Sequence, residues 1–133
     1  MDENMAEILI VDDDSEIRQV LRKLFEMKGF TVREAENGKV CLECYRKQPA
    51  DVVILDILMP EMEGIETIRK LRQIDADVNV IAFSGGGRLA GEYYLKMVKG
   101  FAPRYVFTKL VDPAVILDAV KEIVDSKESE KQV

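Results

Sequence analysis

Asp56 closes an apolar run, Asp51-Val52-Val53-Ile54-Leu55, and is followed by Ile57-Leu58-Met59-Pro60. A second run, Ile8-Leu9-Ile10-Val11, ends in Asp12-Asp13-Asp14. Short, continuous, β-branched apolar runs predict strands buried on both faces. Set side by side and parallel, the two strands would deliver these carboxylates to one sheet edge. Open α/β sheets bind their ligands just outside the carboxyl ends of the strands. Clustered carboxylates repel one another unless a cation sits among them. The chemistry that follows is a divalent-metal site in which Asp56 can act as a nucleophile. Strand-end aspartates also cap helices, and Asp14 or Ser15 is expected in that role. Capping alone would leave unexplained why Asp12, Asp13 and Asp56 share an edge.

The elements that position these residues alternate along the chain. Strands are predicted near Glu7–Val11, Thr31–Glu34, Val52–Leu55, Asn79–Phe83 and Tyr105–Thr108. The first helix carries Ile17, Val20, Leu21, Leu24 and Phe25 at i, i+3, i+4, i+7 and i+8, and Gly29 supplies its stop. The second follows Asn37-Gly38, with Val40, Cys41, Cys44 and Tyr45 on one face. The third carries Ile65, Ile68 and Leu71. A fourth, over Leu89–Val98, has the weakest pattern, because Gly91 interrupts it. The last opens with Asp112 as N-cap and Pro113 at the first helical position, with Ile116, Ala119, Val120, Ile123 and Val124 on its apolar face. Five βα units imply a doubly wound parallel sheet with right-handed crossovers. The polar tail from Ser126 to Val133 is expected to fray.

Bulk properties narrow the classes. The chain has 133 residues, 47% of them hydrophobic, which suits one packed domain. Its net charge of −6 argues against direct nucleic-acid binding, which relies on cationic side chains. There is no His, so His-based acid–base catalysis, His-ligated zinc and a phospho-histidine carrier role are excluded. No apolar run approaches the roughly 20 residues of a membrane span. The opening Met1-Asp2-Glu3-Asn4 lacks a signal peptide's basic region, so a cytoplasmic address is expected. Cys41-Leu42-Glu43-Cys44 lies inside a predicted helix rather than at its start after a strand, so buried, inert thiols are expected, not a redox site.

From Ile8 to Val124 the chain resembles the receiver domain of two-component response regulators. The resemblance rests on Ile10-Val11-Asp12-Asp13, Asn37-Gly38, Leu55-Asp56-Ile57-Leu58-Met59-Pro60 with Gly64, Ser84 at the end of the fourth strand and Lys109 at the end of the fifth. Each motif alone is modest; their joint order and spacing is specific. The resemblance implies a flavodoxin-like three-layer α/β/α sandwich, a (βα)5 fold with strand order 2-1-3-4-5. It implies a receiver domain over residues 1–125, with 126–133 a tail or the start of a linker. Asp56 would be the phospho-acceptor, supplied by a histidine kinase or histidine phosphotransfer protein. Mg²⁺, or Mn²⁺ in its place, would be held by Asp13, Asp56 and the Leu58 backbone carbonyl, with Asp12 holding a metal-bound water. Lys109, Ser84 and the Gly85 amide would meet the phosphoryl oxygens. A downstream partner, an output domain or a second copy would dock on the face built by the Leu89–Val98 segment, the fifth strand and the last helix, where Tyr93, Tyr94, Met97 and Phe101 add apolar area. A receiver of this kind is a signalling module rather than an enzyme, promoting only its own phosphotransfer and dephosphorylation.

Two positions depart from the family pattern. Lys109 is followed by Leu110 rather than Pro, and a cis bond there would cost about 2.5–4 kcal/mol, so trans is expected. The position of the family's switch aromatic holds Val106, flanked by Tyr105 and Phe107. The glycine-rich Ser84-Gly85-Gly86-Gly87-Arg88 is then expected to carry the switch by loop movement instead. Two other functions compete. Asp12-Asp13-Asp14-Ser15 loosely fits the opening of haloacid-dehalogenase-like phosphatases, with Asp12 as nucleophile and Asp14 as acid/base. A pseudo-receiver that binds without phosphotransfer would lack an acidic or lysine residue of the set, and none is missing.

Overall fold

The computed structural model describes residues 6–57, 63–84, 103–108 and 111–132. The strands are β1 (Glu7–Val11), β2 (Thr31–Ala35), β3 (Val52–Asp56), β4 (Val80–Ser84) and β5 (Tyr105–Thr108). They form one sheet in the order β2-β1-β3-β4-β5, with every pair parallel. The described helices are α1 (Ser15–Met27), α2 (Gly38–Lys47), α3 (Glu63–Ile74) and α4 (Pro113–Gln132). Their placement makes the expected three-layer sandwich. Side chains alternate across each strand. Leu9, Val11, Val53, Leu55, Val80 and Ala82 pack with α2 and α3. Ile8, Ile10, Val52, Ile54, Ile81 and Phe83 pack with α1 and α4.

Helix ends follow local chemistry. Asp14 caps α1, accepting from the Glu16 N–H at 2.9 Å, and Asn37 caps α2, accepting from the Val40 N–H at 2.9 Å. Asp112 caps α4, accepting from the Ala114 N–H at 2.9 Å, as its Asp-Pro start predicts. Gly29 ends α1 at φ 94°. Its N–H donates to the Glu26 carbonyl, the Phe30 N–H reaches back to the Phe25 carbonyl, and the two phenyl rings meet edge-on with centroids 6.0 Å apart. This arrangement is a Schellman motif with its hydrophobic contact.

Three expectations need correction. β4 runs over Val80–Ser84 rather than starting at Asn79. Val20, assigned to the core face of α1, is 58% exposed; it lines a cleft of about 250 Å³ between α1 and α4 instead of filling the core. α4 continues to Gln132, past the expected start of a frayed tail. Lys127 holds that extension to the domain through Asp51 Oδ1 at 2.9 Å. The Leu89–Val98 helix lies outside the described residues. The CxxC sits mid-helix in α2, with Cys41 fully buried and its thiol pushed up to about 12, first by burial and then by the neighbouring Cys44.

Candidate acidic phosphoacceptor site

β1 and β3 are neighbours, with Val11 level with Leu55, so Asp12 and Asp56 emerge together at the carboxyl edge of the sheet. Asp13 follows one residue later. Side-chain oxygens of Asp12, Asp13 and Asp56 all lie within 4.8 Å of one another. Asp12 and Asp56 are buried, at 0% and 2% exposure, while Asp13 is open to solvent. Two oxygens on opposite sides of a Mg²⁺ ion stand about 4.2 Å apart, given Mg–O bonds near 2.1 Å. Three hard oxygen donors at this spacing, one of them exposed, fit a small divalent cation that keeps several waters.

Each acid has a defined support. The Asp12 backbone N–H continues the ladder to the Ala35 carbonyl at 3.2 Å, and Asp12 Oδ1 accepts from the Asp14 N–H at 2.8 Å. The Asp14 carboxylate is the α1 cap, which is a role anticipated for it. Beyond Asp56, the Ile57 N–H donates to the Phe83 carbonyl at 3.0 Å, carrying the β3–β4 ladder past the acid. Gly64, in the first turn of α3, lies directly against this backbone. A Cβ built there would stand 2.3 Å from Ile57 Cα and 2.7 Å from the Asp56 carbonyl oxygen. Only glycine lets α3 start this close to the acid.

The remaining expected site residues divide by location. Ser84 is the last residue of β4, level with Thr108 at the end of β5, so the chain delivers it to the acidic edge. Leu58, Gly85, Lys109 and Leu110 lie outside the described residues, as do Tyr93, Tyr94, Met97 and Phe101. Val106 pairs with Ala82, and its neighbours Tyr105 and Phe107 stack on each other, with centroids 5.7 Å apart, on the α1/α4 face. The aromatics beside Val106 therefore belong to the opposite side of the sheet from Val106 itself.

Arg18 was not anticipated. Its Nη1 donates to the Asp12 carbonyl at 2.6 Å and its Nε to Glu34 Oε1 at 2.8 Å. Arg22 donates to the other Glu34 oxygen at 2.7 Å. Arg22 above all, then Arg18, holds the Glu34 carboxyl below its usual range against the opposing effect of burial. In sequence, Arg18 reads as one more charge on a solvated helix face; only the approach of β2 to α1 reveals its partners.

A parallel sheet in 2-1-3-4-5 order with an acidic cluster where β1 and β3 end defines a flavodoxin-like module built to act at that edge. The chain belongs to the response regulator receiver domain family, whose model matches residues 8–121. Receiver domains are the phosphorylation-activated signalling modules of two-component systems, and this chain is one of them. It is 32% identical over 118 residues to the chemotaxis protein CheY of Halobacterium salinarum, covering 89% of this chain and 96% of that one. Among solved structures it is similar to a CheY-like receiver domain protein from Methanospirillum hungatei, with a TM-score of 0.83, 26% identity and coverage of 96% and 99% of the two chains. It also resembles the CheX–CheY–BeF3–Mg²⁺ complex from Borrelia burgdorferi, with a TM-score of 0.78, 28% identity and coverage of 90% and 89%. No described helix is long and apolar enough to cross a membrane.

Proposed function

We propose that Asp56 is the phospho-acceptor and that Mg²⁺, or Mn²⁺ in its place, binds beside it. The observation that carries this reading is the convergence of three carboxylates within 4.8 Å at the edge where β1 and β3 end. A carboxylate oxygen of Asp56 attacks phosphorus, the bond from phosphorus to the donor's histidine nitrogen breaks, and an acyl phosphate forms. Attack by an anion on an anionic phosphoryl group requires charge neutralisation, which the cation supplies. Asp13 and Asp56 would hold it directly, with the Leu58 carbonyl. The bond from the Asp14 N–H to Asp12 Oδ1 suits Asp12 to orienting a metal-bound water. Ser84, Gly85 and Lys109 would receive the phosphoryl oxygens. The phosphatase alternative is disfavoured because Asp14, its acid/base, is engaged as the α1 cap.

In this reading the donor is a histidine kinase or a histidine phosphotransfer protein, and the module acts in the cytoplasm. The receiver unit spans residues 1–125, and 126–133 are a polar tail or the start of a linker, of which the stretch to Gln132 prolongs the last helix. Any enzymatic action is limited to its own phosphotransfer and dephosphorylation. The output face is the Leu89–Val98 segment with β5 and α4, meeting a protein partner, an output domain or a second copy. Val106 has no polar tip to follow Ser84 inward, so the Gly85–Arg88 loop carries the switch. The likeness to a CheY solved with CheX, BeF3 and Mg²⁺ supports both the cation and the protein partner. Acetyl phosphate with Mg²⁺, read by intact mass, tests the acceptor. Wild type gains one phosphoryl group and Asp56→Asn gains none; stable labelling of Asp56→Asn at Asp12 would sink the reading. Hydrogen exchange with and without beryllofluoride tests the output face, with the largest changes expected from Gly85 to Phe101.

A further inference from the structure

Arg18 stands at the start of α1, and its guanidinium reaches back over the helix start. It bridges two partners, the Asp12 carbonyl just past β1 at 2.6 Å and Glu34 of β2 at 2.8 Å, and its side chain is only 16% exposed. The Asp12 carbonyl belongs to the peptide plane that joins Asp12 to Asp13. That plane is rigid, so fixing its oxygen restricts Asp12 ψ and Asp13 φ together. Those two angles decide where the exposed Asp13 carboxylate points relative to buried Asp12 and Asp56. Glu34 adds direction. By accepting from Nε it turns the guanidinium fork towards a neutral carbonyl, whereas a fork rotated onto the carboxylates would compete with a cation for the same oxygens. Arg22 shares Glu34 but its other hydrogen bond goes to Glu26 on the helix surface.

We propose that Arg18 is a positioning residue that sets the divalent-cation affinity of the acidic pocket by holding the Asp12–Asp13 peptide, with Glu34 aiming it. The proposal rests on the reading of the pocket as a Mg²⁺ site. The test is the Mg²⁺ dissociation constant, measured by calorimetric titration well below each variant's melting temperature, so that lost stability alone does not move it. Arg18→Ala should bind Mg²⁺ roughly 10-fold more weakly, the usual effect of removing a group that orients a ligand. Arg18→Lys should fall between, because one ammonium cannot serve both partners as the fork does. Arg22→Ala, which loses a Glu34 ion pair without touching the Asp12 carbonyl, should stay within about twofold of wild type. Wild-type affinity in Arg18→Ala overturns the proposal, as does an equal loss in Arg22→Ala. Should Arg18→Ala not fold, wild-type affinity in Arg18→Lys overturns it. A wild type that binds no Mg²⁺, or an Asp13→Ala variant that binds as wild type does, overturns the metal-site reading itself.

Discussion

The two ends of the sheet use the same residue types to opposite purposes. At the amino end, Asp51 and Glu7 meet cations and N–H donors one by one. Asp51 Oδ1 takes Lys127 at 2.9 Å, Asp51 Oδ2 takes the Glu7 N–H at 2.8 Å, and Glu7 Oε1 lies 3.2 Å from Arg33 Nε. The Arg33 guanidinium also covers the last carbonyls of α2, at Cys44 and Gln48. These contacts tie β1, β2, α2 and α4 together at their roots. At the carboxyl end, Asp12, Asp13 and Asp56 are gathered against one another, and the arginine beside them grips a backbone carbonyl. A carboxylate matched to a cation is structural; like charges gathered on a rigid edge form a site for something that is not part of the chain.

That contrast can be broken by substitution. The largest effect belongs to the acceptor pair: Asp56→Asn should lose all acetyl-phosphate labelling, whereas Asp51→Asn should label as wild type does, both read by intact mass. Equal labelling loss in both would mean the two ends are not distinct. Next is the cation. Mg²⁺ at 100 times its dissociation constant should stabilise the wild type by about 2.7 kcal/mol, an increase in Tm on the order of 10 °C. Asp13→Ala should remove that shift, and Lys127→Ala should keep it.

Gly64→Ala addresses the backbone behind the site. With a Cβ forced to 2.3 Å from Ile57 Cα, α3 must move off β3. The expected loss is roughly 1–3 kcal/mol in urea unfolding, together with slower labelling at Asp56. Unchanged stability with unchanged labelling would show that the close approach is not needed.

The smallest effect is pH-dependent and concerns Glu34. Its carboxyl is held below the ordinary range, chiefly by Arg22. A depressed folded-state value stabilises the protein above the unfolded carboxylate pKa near 4.3, and that contribution disappears as pH falls through the folded value. Comparing wild type with Glu34→Gln, the difference in stability should be a few tenths to about 1 kcal/mol at pH 7 and should shrink towards zero in acid. A difference that grew in acid would contradict the ion-pair account.

Much of the architecture was legible along the chain because its signals are local. Continuous apolar runs marked the strands; β1 and β5 have their expected bounds, β2 and β3 run one residue further, and β4 is shifted by one residue at both ends. Asp112-Pro113, Asn37-Gly38 and Gly29 marked helix ends because capping and positive φ depend on the residue at that spot. The candidate acids were legible for the same reason, since each directly follows or closes a strand. Residues whose role depends on what another element brings near were not. Val20 has the spacing of a core residue yet lines a cleft, because α1 and α4 do not close over it. Lys127 reads as part of a polar tail until α4 brings it to Asp51. Arg18 and Glu34 lie 16 residues apart, and nothing in either position distinguishes them from solvated surface charges until the α1–β2 packing joins them. Short-range backbone preference and strand-end placement are written residue by residue; the pairing of charges across elements exists only once the chain has folded, because Coulomb and hydrogen-bond energies depend on distance in space rather than along the sequence.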